Sequence, residues 1–192
     1  GTGKEHIAHH LHDKSKRAGK PFVAVDCGSL TKELAPSAFF GHVKGAFTGA
    51  DSTKKGYFYE AEGGTLFLDE VGNLALETQQ MLLRAIQERR YRPIGDKSDR
   101  SFNVRIIAAT NEDLEAAVSE KRFRQDLFYR LHDFGITVPP LRDCQEDIMP
   151  LAEFFREIAN KELECNVSGF SSEARKALLT HAWPGLSLIH IS

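Results

Sequence analysis

Long apolar runs are missing from the 192-residue sequence: none approaches the roughly 20 residues of a membrane-spanning helix, so no such helix and no membrane partner are expected. Charge of one sign is missing too. A formal net charge of -2 leaves no basic footprint for nucleic acid, and any DNA contact is expected to come through a domain outside this chain. Cysteine is scarce: Cys27, Cys144 and Cys165 are odd in number and lack metal-ligand spacing, so they are expected to be reduced thiols with no chemical role. No signal-peptide pattern opens the chain, and the expected location is cytoplasmic. The composition that is present, 41% hydrophobic and 27% charged, suffices for a core; it excludes disorder and points to one domain, or one domain with a small appendage.

The stretch from Gly63 to Gly72, GGTLFLDEVG, organises the rest. Thr65 to Leu68 is a short apolar run without polar alternation, which predicts a parallel strand buried on both faces. Asp69-Glu70 falls at its carboxyl end, where open α/β sheets place their ligands. Two adjacent acids there suit a nucleotide triphosphatase, the first holding Mg²⁺ directly or through water and the second orienting the attacking water. Acids also end strands simply because loops are wet, and the pair alone does not separate these readings. Gly1-Thr2-Gly3-Lys4-Glu5 looks like the back half of a phosphate-binding loop, G-x-x-x-x-G-K-[ST], whose backbone amides cradle phosphates while the Lys reaches the terminal ones. Glu5 stands where a hydroxyl would join the Mg²⁺ shell, and the first Gly of the motif and the strand before it are absent.

Around these two motifs the periodicity alternates strand and helix. Ile7, Ala8 and Leu11 share a helix face that ends by Ala18 to Pro21, with His6, His9, His10 and His12 read as a solvated face. His6 and His10, one turn apart, lack a third metal ligand. Phe22 to Val25 predicts a second buried strand ending in Asp26, and Val104 to Ala109 a third, with Thr110-Asn111 at its end. Between them Leu74, Met81, Leu82, Ala85 and Ile86 form an apolar helix face, with Asn73 the expected N-cap and Arg84, Arg89, Arg90 and Arg92 on the wet side. Asp96 to Ser101 reads as a polar loop. Gly135 to Val138 is a last strand, closed off by Pro139-Pro140. Ile148, Leu151, Ala152, Phe155 and Ile158 then predict an amphipathic helix, and Ser171 or Ser172 opens another that stops at Trp183-Pro184-Gly185.

One segment resists this generic reading. Gly45-Ala46-Phe47-Thr48-Gly49-Ala50 brackets a single Phe-Thr pair with small residues, where a core-tucked turn would not need them on both sides. GAFTGA at 45 to 50 resembles the signature loop of the AAA+ ATPase domain of sigma-54-dependent transcriptional activators, the bacterial enhancer-binding proteins. The likeness runs in order through GTGKE at 1 to 5, PFVAVDC at 21 to 27, GGTLFLDE at 63 to 70, RIIAATNEDL at 105 to 114, FRQDLFYRL at 123 to 131 and VPPLRDCQEDI at 138 to 148.

The resemblance implies an α/β fold of the AAA+ P-loop class, a parallel sheet sandwiched by helices that lacks its first strand, followed by part of a small α-helical lid. Residues 1–142 would form the core and 143–185 the partial lid. It implies ATP and Mg²⁺ as cofactors, with Gly1, Thr2, Gly3, Lys4 and Glu5 at the phosphates, Asp69 on the metal, Glu70 on the water and Asn111 sensing the γ-phosphate. Arg124 and Arg130 would act as arginine fingers on a neighbouring subunit, which requires a homo-oligomeric ring, a hexamer or heptamer. Phe47 and Thr48 would touch the sigma-54 subunit of RNA polymerase, and an insertion at Asp96 to Ser101 would help move them. The function implied is ATP-driven remodelling of the polymerase to open promoters. The alternatives are a non-hydrolysing regulatory subunit, against which Asp69, Glu70, Asn111, Arg124 and Arg130 argue, and another AAA+ machine such as a chelatase or helicase motor, against which the 45 to 50 loop argues.

Four departures from the family pattern bear on this. Ser37-Ala38-Phe39-Phe40-Gly41 lacks an acid near the loop base, Asp26 stands where relatives often carry Asn, Arg122 replaces a usual Gly, and Cys144 a usual Arg. Residues 186–192, LSLIHIS, resemble the translation of a transposase sequencing adapter and are excluded from fold reasoning. Lacking its first strand, the sheet is expected to carry a gap between the strand ending near Asn111 and the one at 135–138, and the fragment itself is expected to be inactive.

Overall fold

The computed structural model describes residues 3–183 and the backbone of 189–191. The expectations placed on Gly1, Thr2, Pro184, Gly185, 186–188 and 192 lie outside the described residues. The chain divides into two compact units, one built on Gly3–Ile136 and the other on the segment that starts at Thr137.

In the first unit α1 (Lys4–Asp13) leads to β1 (Phe22–Asp26), α2 (Ala35–Phe40), α3 (Tyr57–Glu60) and β2 (Thr65–Asp69). Then come α4 (Leu76–Glu88), a two-residue ribbon of β3 (Arg90–Tyr91) and β4 (Arg100–Ser101), β5 (Arg105–Thr110), α5 (Leu114–Ser119) and α6 (Gln125–Leu131); β6 (Ile136–Val138) begins at the last residue of this unit and continues into the other. β1, β2 and β5 run parallel and in register, Phe22 beside Thr65 through to Asp26 beside Asp69, and Thr65 beside Arg105 through to Leu68 beside Ala108. As its uniform hydrophobicity predicts, β2 is buried from Thr65 to Leu68. Expectation fails for β1. It is the sheet's edge strand among the described residues, with β2 as its strand neighbour, and of its five residues only Val25 is fully buried.

Both faces of β2 are covered by side chains that the sequence places at helical spacing. On one face α4 brings Leu82, Ala85 and Ile86 onto a core with Leu66, Leu68 and Val71. On the other α1 packs against β1 and β2 and buries Ala8 and His12. The histidine-rich segment is therefore not wholly solvated: His12 is 3% exposed and bonded through Nδ1 to Thr65 Oγ1 at 2.9 Å. An aromatic cluster, Phe40 stacked on Phe58 at 5.4 Å and Phe58 against Phe102 at 4.7 Å, fixes α2 and α3 to the β3–β4 ribbon.

Within the first unit the strand order is β1-β2-β5, with the end of β7 (Ile189–Ile191) next to β5. Beside β5, where the gap is expected, β7 pairs antiparallel with the last two residues of the strand alone, Ala109 beside Ile191 and Thr110 beside His190, so among the described residues the gap is bridged only at that end. The cause is general: a bare inner strand edge carries unpaired N–H and C=O groups, and any short extended segment within reach satisfies them.

The second unit holds α7 (Gln145–Glu162) and α8 (Ser172–Thr180). Ser171 Oγ caps α8 at the Ala174 amide. Asn160 clasps Val167 reciprocally, at 3.0 Å to its carbonyl and 2.9 Å from its amide. Of the predicted apolar face of α7, Ile148 is fully buried; Leu151 and Phe155 line an apolar cavity of about 480 Å³ with Leu178 and Trp183.

The closest approach in the sheet is at the entrance to β2, where a Cβ on Gly64 would lie 1.9 Å from the backbone oxygen of Pro21. Backbone cannot yield as a side-chain end can, so Gly64→Ala is expected to destabilise the full-length protein by about 1–3 kcal/mol or more in urea unfolding. An unchanged midpoint would mean that β1 and β2 do not meet as described.

Candidate functional site

Parallel in-register pairing brings the ends of β1, β2 and β5 to one rim of the sheet, and every acid predicted at a strand end lies there. Gly3 precedes α1 with φ 80°, a left-handed turn that glycine adopts without strain, and sets Lys4 as the first helical residue. The Lys4 ammonium lies 3.1 Å from Asp69 Oδ1, with the Lys4 side chain 11% exposed and that of Asp69 32%. Glu5 faces away, toward His9 Nε2 at 4.0 Å.

Glu70 has φ 54°, a conformation unfavourable for a side chain with a Cβ, and its amide donates to Asp69 Oδ1 at 3.0 Å. The left-handed residue turns the chain directly into a 3-10 turn, Val71–Asn73, so Asn73 comes back beneath Glu70. Asn73 Nδ2 donates to Glu70 Oε2 at 3.0 Å, and Asn111 Nδ2, from the end of β5, reaches Oε1 at 3.5 Å, the outer limit of a hydrogen bond. Each carboxylate oxygen thus faces one amide. Asn73 is not the N-cap of α4; Ala75 holds that position without a side-chain bond.

Asp26 comes to the same rim with its Oδ1 bonded to the Gly28 amide at 2.9 Å. Space is the constraint here: a Cβ on Gly28 would lie 2.7 Å from Glu70 Oε2 and 3.1 Å from Asn73 Nδ2. Beneath these acids sits Cys27, whose thiol burial, and secondarily the charges of Asp26, Asp69 and Glu70, push up to about 12.

The arginines form a separate group. Arg124 donates Nε to Asp126 Oδ1 at 3.0 Å and Nη2 to Oδ2 at 2.7 Å, a forked pair that holds the Asp126 carboxyl below its usual range and raises Arg124. Arg130 lines a cavity of about 250 Å³ with Arg105 and Asp133. Among the described residues neither guanidinium touches Lys4, Asp69 or Glu70. Arg122 pairs with Glu112 and Glu120, tying the turn after β5 to the start of α6.

The 45 to 50 loop projects from the β3–β4 side. The amide of Gly45 bonds to Ala50 O at 2.8 Å, Gly45 and Gly49 have φ of 79° and 95°, and Phe47 is 44% exposed. The brace that the sequence left open is His42: Ser37 Oγ holds its Nδ1 at 2.6 Å, and its ring meets Phe47 edge-on at 5.0 Å. Asp96 to Ser101 is only in part a loop, since Arg100-Ser101 pairs with β3; the turn before it bonds the loop base, Val43 N to Ile94 O at 3.1 Å and Ile94 N to Gly41 O at 2.9 Å.

A parallel sheet with a lysine-led helix and paired acids at one strand rim defines a nucleotide-binding α/β domain of the P-loop class. A family model described as the sigma-54 interaction domain matches residues 1–137, and one described as an AAA+ ATPase lid domain matches 142–185. The chain belongs to the sigma-54 interaction domain family. It is 49% identical over 185 residues to the transcriptional regulatory protein ZraR of Klebsiella oxytoca, covering 96% of this chain and 42% of that protein. It is 46% identical, over 96% of this chain and 50% of the relative, to the sigma54-dependent transcriptional activator SfnR of Pseudomonas putida. The crystal structure of NtrX from Brucella abortus in complex with ADP superposes with a TM-score of 0.89 at 35% identity, covering 97% of this chain and 40% of that one. The chain therefore spans about two-fifths to half the length of these relatives.

Cys27 offers a check on the packing of the rim. Because Cys27 is buried and its burial disfavours the thiolate, alkylation of the native protein at pH 8 is expected to modify exposed Cys165 and to spare Cys27 until urea unfolds the chain. Because the native thiol ionises later than the unfolded one, with its ordinary value of 9.0, its contribution to stability is intact below pH 9 and falls as pH rises toward 12. Rapid native labelling of Cys27 would show the rim to be open.

Proposed function

We propose that the protein is an ATP-hydrolysing motor that acts on the sigma-54 form of RNA polymerase. The observation that carries this reading is the Lys4–Asp69–Glu70 rim, a lysine beside one acid and two amides holding the next. The donor set fits magnesium nucleotide: Asp69 is a hard oxygen ligand, partly exposed, and its present partner is a cation. Bound there, Mg²⁺ would neutralise charge on the β- and γ-phosphates.

The chain's own groups divide the work. Lys4, with Gly3 and the residues before it, binds phosphate, while Glu5, turned toward His9, adds little. Glu70 accepts a hydrogen bond from the attacking water once one of its oxygens is free of an amide, and Asn111 moves between Glu70 and the γ-phosphate. Arg124 and Arg130 serve a neighbouring subunit's nucleotide in a ring of six or seven. An arginine in that role contributes on the order of 10³ to 10⁵ in kcat. Phe47 and Thr48 are the sigma-54 contact. His42 and the Ile94 turn carry movement to them. Residues 1–142 make up the motor core and 143–185 part of its lid. DNA contact belongs to another domain, and the site of action is the cytoplasm. Alone, this chain is read as inactive: β7 pairs only the last two residues of β5, and a finger needs a neighbour.

Two variants of the full-length protein separate motor from output. Glu70→Gln is expected to bind ATP within about two-fold of wild type and to lose turnover by roughly 10²-fold or more, since an amide cannot act as the base. Thr48→Ala is expected to retain ATPase activity and to lose open-complex formation with sigma-54 polymerase. Near-normal hydrolysis by Glu70→Gln, or joint loss of both activities in Thr48→Ala, would contradict the assignment.

A further inference from the structure

Gln79 is a polar side chain with no exposure at all, in the middle of the apolar face of α4. Buried amides are tolerated when every hydrogen bond is made, and here they are made to backbone alone. Nε2 donates to Leu74 O at 2.7 Å and to Arg122 O at 3.0 Å, and Oε1 accepts from the Arg124 amide at 2.8 Å. Two of these partners flank Phe123, which is itself buried, and the third closes the turn that carries Glu70 and Asn73. Arg124 is the residue that caps the start of α6, and its own side chain makes no capping bond. Its carbonyl accepts from Phe128 N within α6, Arg122 N and Phe123 N bond to Ala117 O, and the bond from its own amide to Gln79 ties it to α4.

We propose that Gln79 is the positioning residue for Arg124: its amide clamps the backbone on both sides of Phe123 and so sets where the Arg124 guanidinium leaves the subunit surface. This rests on the reading of Arg124 as a finger that acts across a subunit interface. An apolar residue of equal length would fill the same space, so volume does not explain the choice of glutamine. What glutamine adds is a fixed acceptor for the Arg124 amide and a donor to Arg122, tied through Leu74 to the turn that bears the acid of the subunit's own site.

The test uses full-length protein with Gln79→Met, which keeps volume and removes all three bonds. Hydrogen exchange at the Arg124 amide is expected to accelerate at least ten-fold while the ATP dissociation constant stays within about two-fold. Turnover is expected to fall by roughly 10²-fold, the usual effect of a displacement near 1 Å at a reacting centre. Mixed with Lys4→Ala subunits, Gln79→Met subunits are expected to recover activity, because their intact ATP site then meets a properly held Arg124. Arg124→Ala mixed with Lys4→Ala is the control. If the control recovers and the Gln79→Met mixture does not, Gln79 acts on its own subunit and the proposal is overturned. If the control also fails in rings shown to be mixed, the reading of Arg124 in trans falls, and the proposal with it. Unchanged exchange at the Arg124 amide overturns it independently. Should Gln79→Met not fold, Gln79→Asn, which stays neutral and keeps an amide but one methylene short of the 122–124 backbone, is read in the same exchange and mixing experiments, with the same outcomes supporting or overturning the proposal.

Discussion

The parallel register of β1, β2 and β5 is the constraint on which the site depends. Pairing Asp26 with Asp69 and Leu68 with Ala108 leaves no freedom in where the strands end, so three chain segments distant in sequence must turn at one level. Carboxylates are thereby crowded onto one rim. Crowding of like charge is unfavourable unless it is neutralised or hydrogen-bonded, and here each acid has a partner. Asp26 takes the Gly28 amide, Asp69 the Lys4 ammonium, and Glu70 the amides of Asn73 and Asn111. The absence of a side chain at Gly28 is what lets the last of these arrangements fit.

Much of this was legible in the chain alone because it is local. An unbroken apolar run from Thr65 to Leu68 followed by two acids states both the burial of β2 and the position of its end, and Asn111 follows β5 in the same way. Phe47 announces its exposure through the glycines around it. What was not legible depends on chain reversal or on neighbours. Asn73 looked like a helix cap because polar residues before helices usually are; only the left-handed turn at Glu70 brings it back onto that carboxylate. Phe22 to Val25 reads as buried on hydrophobicity, yet its place at the sheet edge leaves most of it partly exposed. His12 falls in a histidine-rich helix that looks solvated, and is inside because α1 crosses Thr65. Gln79 carries no signal in the sequence, because its burial comes from the backbone of 122–124 placed over it.

Among the described residues, Arg124 and Arg130 do not touch Lys4, Asp69 or Glu70. Arg124 is instead held by Asp126, in a forked pair that is half exposed and so contributes little to stability. Such a pair keeps a long side chain extended in one direction at small cost, and a more negative partner can displace it. Glu70 is held in a comparable way by amides. Arg124 and Glu70 are thus both held by exchangeable polar contacts on partly exposed side chains.

Asp69 is the proposed point at which the rim holds a metal–nucleotide complex. Calorimetric titration of ATP into the full-length protein, with and without Mg²⁺, tests it most directly. Wild type is expected to bind ATP at least ten-fold more tightly with Mg²⁺ present, and Asp69→Asn to lose that enhancement while still binding metal-free ATP, since Lys4 remains. An Asp69→Asn protein with the same Mg²⁺ dependence as wild type would contradict the account.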